Sequence, residues 1–235
     1  MKYEMTGRIR YSEVDRVRRI TLPAIINYFQ DCSIFQSEDL KVGINHLAEH
    51  HEAWLLTSWQ IVVERRPEMG EQIKAATWAY KFQGIYGYRN FQLIGADGRA
   101  AAYANSIWVY MDMENGRPMK PGEKQIQLYD PEPALEMDYA PRKIKLPKES
   151  IDGQAFPVQK YHIDTNGHVN NCQYIQMAME ILPEDISVNQ VRVEYRKAAV
   201  YGDMIVPKIA AEVNRTVVQL CEQHGEPFAV VALES

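Results

Sequence analysis

Two stretches of this chain, 149 residues apart, follow the same plan, and that duplication limits the fold more than composition does. With Asp15 set against Asp164, Tyr11-Ser-Glu-Val-Asp15 resembles Tyr161-His-Ile-Asp164, with one residue fewer in the second copy. Thr21 then falls on Asn170, Ile26 on Ile175 and Asp31 on Glu180. Both segments pass from a polar turn into apolar residues at helical spacing, Leu22, Ile25, Ile26 and Phe29 in one and Ile175, Ala178, Met179 and Leu182 in the other.

A second correspondence follows in the same order. Gln60 to Gly70 resembles Gln190 to Gly202, and the later copy alternates Val191, Val193 and Tyr195 with Arg192, Glu194 and Arg196, the pattern of a half-buried strand. Gly70 and Gly202 mark turns before further strands, expected over Ile73 to Tyr80 and Met204 to Val213. A glycine turn comes late in each half (Asp97-Gly98 and His224-Gly225), each ahead of a β-prone run, Ala100 to Met111 and Phe228 to Leu233. Each half thus reads as one helix followed by antiparallel strands, an α+β pattern. The expected division is a repeat over 1–114, a linker over 115–157 that holds seven prolines, and a second repeat over 158–235.

Composition excludes several classes. There is no run of about 18 apolar residues, so no transmembrane helix is expected. The start of the chain, Met-Lys-Tyr-Glu-Met-Thr, shows no apolar secretory core, and the three cysteines (Cys32, Cys172, Cys221) are odd in number and far apart. A reduced, cytoplasmic setting is the expectation, with no cofactor and no metal. A net charge of −5 argues against nucleic acid as partner and means that an acidic partner must meet a local basic patch.

The chemistry concentrates in Asp164-Thr-Asn166-Gly-His168-Val-Asn170-Asn171. A carboxylate can act as base or nucleophile, an amide can bind an oxyanion or water, and an imidazole can shuttle protons near neutral pH. The start of a helix adds backbone N–H groups that favour developing negative charge. A helix cap alone needs one such side chain, and this loop carries five. The first half keeps Asp15 but has Val17, Arg18 and Arg19 where the second has Asn166, Gly167 and His168. One copy is armed and the other is not. The first half is then free to line a pocket, with Ile25, Phe29 and Trp54 as candidates, although aromatic residues at such spacings more often pack as core.

These residues resemble the active-site segment of the acyl-acyl-carrier-protein thioesterases, and the likeness extends through Tyr11 to Asp15, Trp54 to Pro67 and Val193 to Arg196. The resemblance implies a tandem hotdog fold, in which each sheet wraps a central helix and the two sheets pack side by side. It also implies hydrolysis of a fatty acyl thioester on the phosphopantetheine arm of acyl carrier protein, with Asp164, Asn166 and His168 as catalytic residues. Plant members carry a Glu-Cys pair shortly after a Glu-Tyr-Arg strand; here Glu194-Tyr195-Arg196-Lys197 leads into Ala198-Ala199. That departure removes a Cys nucleophile at this point and one carboxylate. Glu194 shares strand parity with Ala198, but a solvated strand carboxylate is the expected reading of it.

The expected mechanism gives Asp164 the role of base or nucleophile and His168 that of polarising water or carrying the proton. Asn166 and the backbone N–H groups around Val169 and Asn170 would face the thioester oxygen. Carrier protein is acidic, and two basic clusters are candidate docking surfaces: Arg18 and Arg19 with Arg16, and Arg142 and Lys143 with Lys145 and Lys148. One competing signal, His46-Leu-Ala-Glu49-His50, matches a short zinc-peptidase pattern that recurs by chance. An acyl-CoA thioesterase and a non-catalytic acyl-binding module remain alternatives, and a homodimer is left open.

Overall fold

The structure, a computed structural model, describes residues 1–183 and 187–235. Two compact units emerge, Met1–Thr57 with Ile61–Tyr139, and Ser58–Gln60 with Ala140–Ser235. The first carries β1 (Tyr3–Arg8), α1 (Leu22–Asp39), α2 (Ile44–Glu49), β2 (Glu52–Val63), β3 (Gln72–Gln83), β4 (Tyr86–Ile94), β5 (Ala100–Asp112), β6 (Arg117–Pro118) and α3 (Glu123–Tyr129). The second carries β7 (Ile151–Asp152), β8 (Phe156–Pro157), α4 (Asn171–Met179), β9 (Gln190–Tyr195), β10 (Met204–Glu212), β11 (Arg215–Cys221) and β12 (Pro227–Glu234). Three-residue 3-10 turns at Tyr11–Glu13 and Lys160–His162 precede α1 and α4.

In the first unit the sheet runs β1-β3-β4-β5-β2 and α1 lies across it. Thr21 starts the helix, its hydroxyl accepting from Ala24 N at 3.3 Å, and Pro23 follows in the first turn, where its missing N–H costs nothing. The apolar stripe of α1 (Leu22, Ile25, Ile26, Phe29, Cys32) is fully buried, and Phe29 meets Phe91 of β4 at 5.3 Å between ring centroids. Beneath it the strands supply Ala75, Ala102 and Ala104, small enough for a helix to settle closely on the sheet.

One charge is buried in that core. Arg89 of β4 lies opposite Ala79 and Ser106 and donates to Gln36 Oε1 of α1 and to Thr77 Oγ1 (3.2 Å), with its guanidinium 5.3 Å from the centre of the Tyr129 ring. Burial lowers its pKa, and no carboxylate among the described residues pairs with it. Neutral acceptors and an aromatic face therefore carry the whole compensation.

The second unit repeats the plan. Its order β10-β11-β12-β9 matches β3-β4-β5-β2 of the first, with α4 against β11 and β12. The edge strand differs: β1 runs unbroken along β3, whereas β7 and β8 meet β10 as two fragments. Gly153 sits in the break and donates to Pro207 O at 2.7 Å, and a Cβ there would meet Ile209 at 3.2 Å and Pro207 at 3.3 Å.

The expected strands appear with their ends slightly shifted, β3 running on to Gln83 and β10 stopping one residue short at Glu212, and the proline-rich stretch 115–157 is divided between the units. Trp78 Nε1 donates to Pro133 O and Leu135 N to Asn90 Oδ1 in the first, while Ile144 N donates to Glu194 Oε2 in the second. No helix among the described residues is long and apolar enough to cross a membrane.

Gln36→Leu removes the neutral acceptor that meets the Arg89 charge. It is expected to lower unfolding stability by roughly 2–3 kcal/mol, measured by urea denaturation with the m-value unchanged.

Candidate active site

The turn before α4 is built almost entirely from backbone hydrogen bonds. Asp164 N donates to His168 O at 2.8 Å, Gly167 N to Asp164 O at 3.1 Å, and Ile163 bridges Val169. Gly167 takes φ +75°, which a glycine adopts without strain. Below the turn, Asn170 N donates to His162 O at 2.8 Å and Val169 N to Ala199 O at 2.9 Å. Asn170 Oδ1 accepts from Cys172 N at 2.9 Å and so caps α4. Asp164 Oδ1 accepts from Asn166 N at 2.8 Å. Its other oxygen has no partner among the described residues, and nor do the exposed side chains of Asn166 and His168.

The first unit holds the same turn, bond for bond: Ile20 N donates to Pro67 O, and Asp15 N to Arg19 O, Arg18 N to Asp15 O and Thr21 N to Glu13 O follow at a constant offset of 149. The 3-10 turns at Tyr11–Glu13 and Lys160–His162 share that offset too, so no residue is missing from the second copy, and Tyr11 corresponds to Lys160 rather than Tyr161. Pro67 answers Ala199, and Gly70 answers Gly202, both glycines at φ +89°. Position 198 is therefore the counterpart of position 66.

That counterpart explains the difference between the two carboxylates. Arg66 Nη1 reaches Asp15 Oδ2 at 3.0 Å, while Asp15 Oδ1 accepts from Val17 N and Arg19 N, both at 3.0 Å. Asp15 is thus spent. Ala198 has nothing with which to reach Asp164, and Asp164 Oδ2 stays open.

Several expectations need correction. The N–H groups of Val169 and Asn170 are not oxyanion donors, because Ala199 O and His162 O already hold them. The first N–H of α4, on Asn171, is the one with no partner among the described residues. Glu194 is not solvated. It is 5% exposed, accepts from Ile144 N at 3.0 Å and pairs with Arg196 at 3.2 Å, because residues 141–145 lie over the outer face of β9. His50 Nδ1 lies 2.8 Å from His46 O, and no group of three metal-ligating side chains occurs among the described residues.

Ile25 and Phe29 are fully buried, and Trp54 packs among Phe82 and Tyr110 with its Nε1 buried and unpaired. Arg18, at φ +62°, and Arg19 project from the unarmed turn, exposed. Lys143 is exposed and Arg142 half-buried.

Sequence reasoning missed Tyr174. Its hydroxyl accepts from Ala199 N at 2.9 Å, and its position on the buried face of α4 was the available signal.

Comparison with known proteins agrees with this geometry. The family model for the acyl-ACP thioesterase N-terminal domain matches residues 1–129, and that for the C-terminal domain matches 145–226. The chain belongs to the acyl-ACP thioesterase family. A chloroplastic acyl-[acyl-carrier-protein] hydrolase of Cuphea viscosissima is 26% identical over 209 residues, 80% of this chain and 50% of the relative. A palmitoyl-acyl carrier protein thioesterase of Cuphea hookeriana matches to the same extent, 26% identical over 80% of this chain and 50% of its own length. The chain spans about half the length of these curated relatives.

Among solved structures, an acyl-ACP thioesterase from Bacteroides thetaiotaomicron superposes with a TM-score of 0.90 at 20% identity, covering 99% of this chain and 97% of that one. The 12:0-ACP thioesterase from Umbellularia californica gives 0.86 at 18% identity, covering 99% and 96%. Those likenesses establish the fold: the α+β units are hotdogs.

His162 supplies a pH-dependent link in the turn. It is buried beneath Tyr161, its Nδ1 accepts from Gln159 N at 2.9 Å, and burial lowers its pKa below the ordinary 6.5. The unfolded chain takes up this proton first, so its contribution is complete above pH 6.5 and declines as pH falls from there through the lowered folded value. Unfolding stability measured across that window, above the carboxylate range, is expected to fall with acidity, and His162→Gln is expected to flatten the slope.

Proposed function

We propose that this protein hydrolyses fatty acyl thioesters carried on acyl carrier protein, with Asp164, Asn166 and His168 as the catalytic residues. The observation that carries the reading is the asymmetry of the two turns. In one copy Arg66 neutralises Asp15; in the other Asp164 Oδ2 is unpaired beside an exposed amide and imidazole.

Asp164 Oδ2 draws a proton from a water whose oxygen attacks the thioester carbonyl, and His168 orients that water. The oxyanion of the tetrahedral intermediate is met by the Asn166 amide and by Asn171 N–H at the positive end of α4. Collapse breaks the carbon–sulfur bond, and the proton returns to the leaving thiolate, giving free acid and thiol. A thiolate leaves easily, so this modest apparatus is enough without a second carboxylate at position 198.

Ile25, Phe29 and Trp54 of the first repeat are the candidate acyl-pocket residues. Arg18, Arg19, Arg142 and Lys143 are the candidate contacts for the acidic carrier, by charge complementarity.

Asp164→Asn and His168→Ala are each expected to lower turnover of acyl-carrier-protein substrates by at least about 100-fold with folding intact. Ala198→Arg rebuilds in the second turn the ion pair of the first. It is expected to quench turnover similarly, whereas Ala198→Ser leaves most of it. A panel of acyl-carrier-protein and acyl-CoA thioesters of increasing chain length provides the assay. Retention of activity in Asp164→Asn would overturn the assignment, and faster turnover of the CoA panel would change the substrate.

A further inference from the structure

The armed and unarmed turns differ in how the segment beneath them is anchored. In the first unit that segment is Pro67, whose nitrogen carries no proton, and the helix residue 149 before Tyr174 is the buried, apolar Ile25. In the second unit Ala199 has an N–H, fully buried, and the Tyr174 hydroxyl accepts it at 2.9 Å. The two positions exchange together: where the segment has a proline, which needs no acceptor, the helix has isoleucine, and where it has an alanine, which needs one, the helix has tyrosine.

The bond continues into the site. Ala199 O accepts from Val169 N at 2.9 Å, Val169 bridges Ile163, and Asp164 N closes the turn on His168 O at 2.8 Å. A buried phenol on α4 therefore connects through one residue to the backbone that carries Asp164 and His168. We propose that Tyr174 is a positioning residue of the thioesterase site, setting the Asp164–His168 turn by holding Ala199 against α4. Burial raises the phenol to about 12, so the hydroxyl keeps its proton and its acceptor geometry through the neutral range. The turn needs this hold more than its counterpart does. In the first unit Met69 N also donates to Arg18 O at 2.9 Å and Arg19 bridges Glu68, contacts with no equivalent among the described residues around Gly167 and His168.

This inference rests on the hydrolase reading, so its test has an arm that needs no activity. Tyr174→Phe removes only the hydroxyl and leaves Ala199 N–H buried without an acceptor. In the purified full chain, kcat on an acyl-carrier-protein thioester is expected to fall by about 10- to 100-fold with KM within about threefold, as misplacement of reacting groups does. Amide exchange over residues 164–170 is expected to quicken by about tenfold or more, since the turn loses its anchor. Adding Ala199→Pro to Tyr174→Phe recreates the arrangement of the first unit and is expected to restore both quantities most of the way.

Unchanged kcat in Tyr174→Phe, or faster exchange confined to Ala199, would overturn the proposal. So would a double variant with exchange protection restored and kcat still low, because the phenol would then be touching the reacting atoms instead. If the wild type hydrolyses no thioester, the hydrolase reading fails, and the exchange arm alone decides whether Tyr174 sets the turn.

Discussion

One backbone hydrogen bond supports the rest of the site: the N–H of the residue before the helix cap, given to a carbonyl in the segment that follows the first strand after the helix. It joins Val169 to Ala199 in one unit and Ile20 to Pro67 in the other, at 2.9 Å in both. The bond fixes a polar turn, a helix start and a strand end against each other. Polar side chains at a solvent-facing turn would otherwise sample many rotamers and many backbone states. With the backbone fixed at both ends, the side chains above it can stay unpaired without the loop collapsing onto them.

Electrostatics then separates two turns of the same shape. A carboxylate beside an arginine is a structural ion pair, its charge matched and its lone pairs occupied. A carboxylate that binds only one N–H of its own loop keeps an oxygen for other work. Asp15 and Asp164 are these two cases, and a single side chain, Arg66 against Ala198, is the largest difference between them. The alanine that first looks like a missing catalytic group is also what leaves Asp164 open.

The duplication was legible in the sequence because each copy keeps the same polar-turn-to-helix transition and the same glycine before its next strand. Helical spacing in Leu22 to Phe29 and strict alternation in Val191 to Tyr195 announced their elements directly. Strand β4 was harder: it carries Arg89 and Asn90 at fully buried positions, and a pattern that expects polar residues outside passes over it. Glu194 was misjudged for a related reason, since only the tertiary fold shows that residues 141–145 cover the outer face of its strand. The residue types of the proposed site, Asp164, Asn166 and His168, stood out in the sequence. Which N–H groups were free did not, because Val169 and Asn170 give theirs to partners 30 and 8 residues away along the chain.

Arg18 holds a left-handed backbone at φ +62°, the conformation that Gly167 takes at +75° in the other copy. An arginine tolerates that region only at some cost, so the first turn bears strain that the glycine of the second turn avoids. The backbone shape of the proposed site is thus present in both units. The two turns differ chiefly in side chains: Val17 for an amide, Arg19 for an imidazole, and Arg66 lying on the carboxylate. The first turn is a second casting from the same mould, filled with other material.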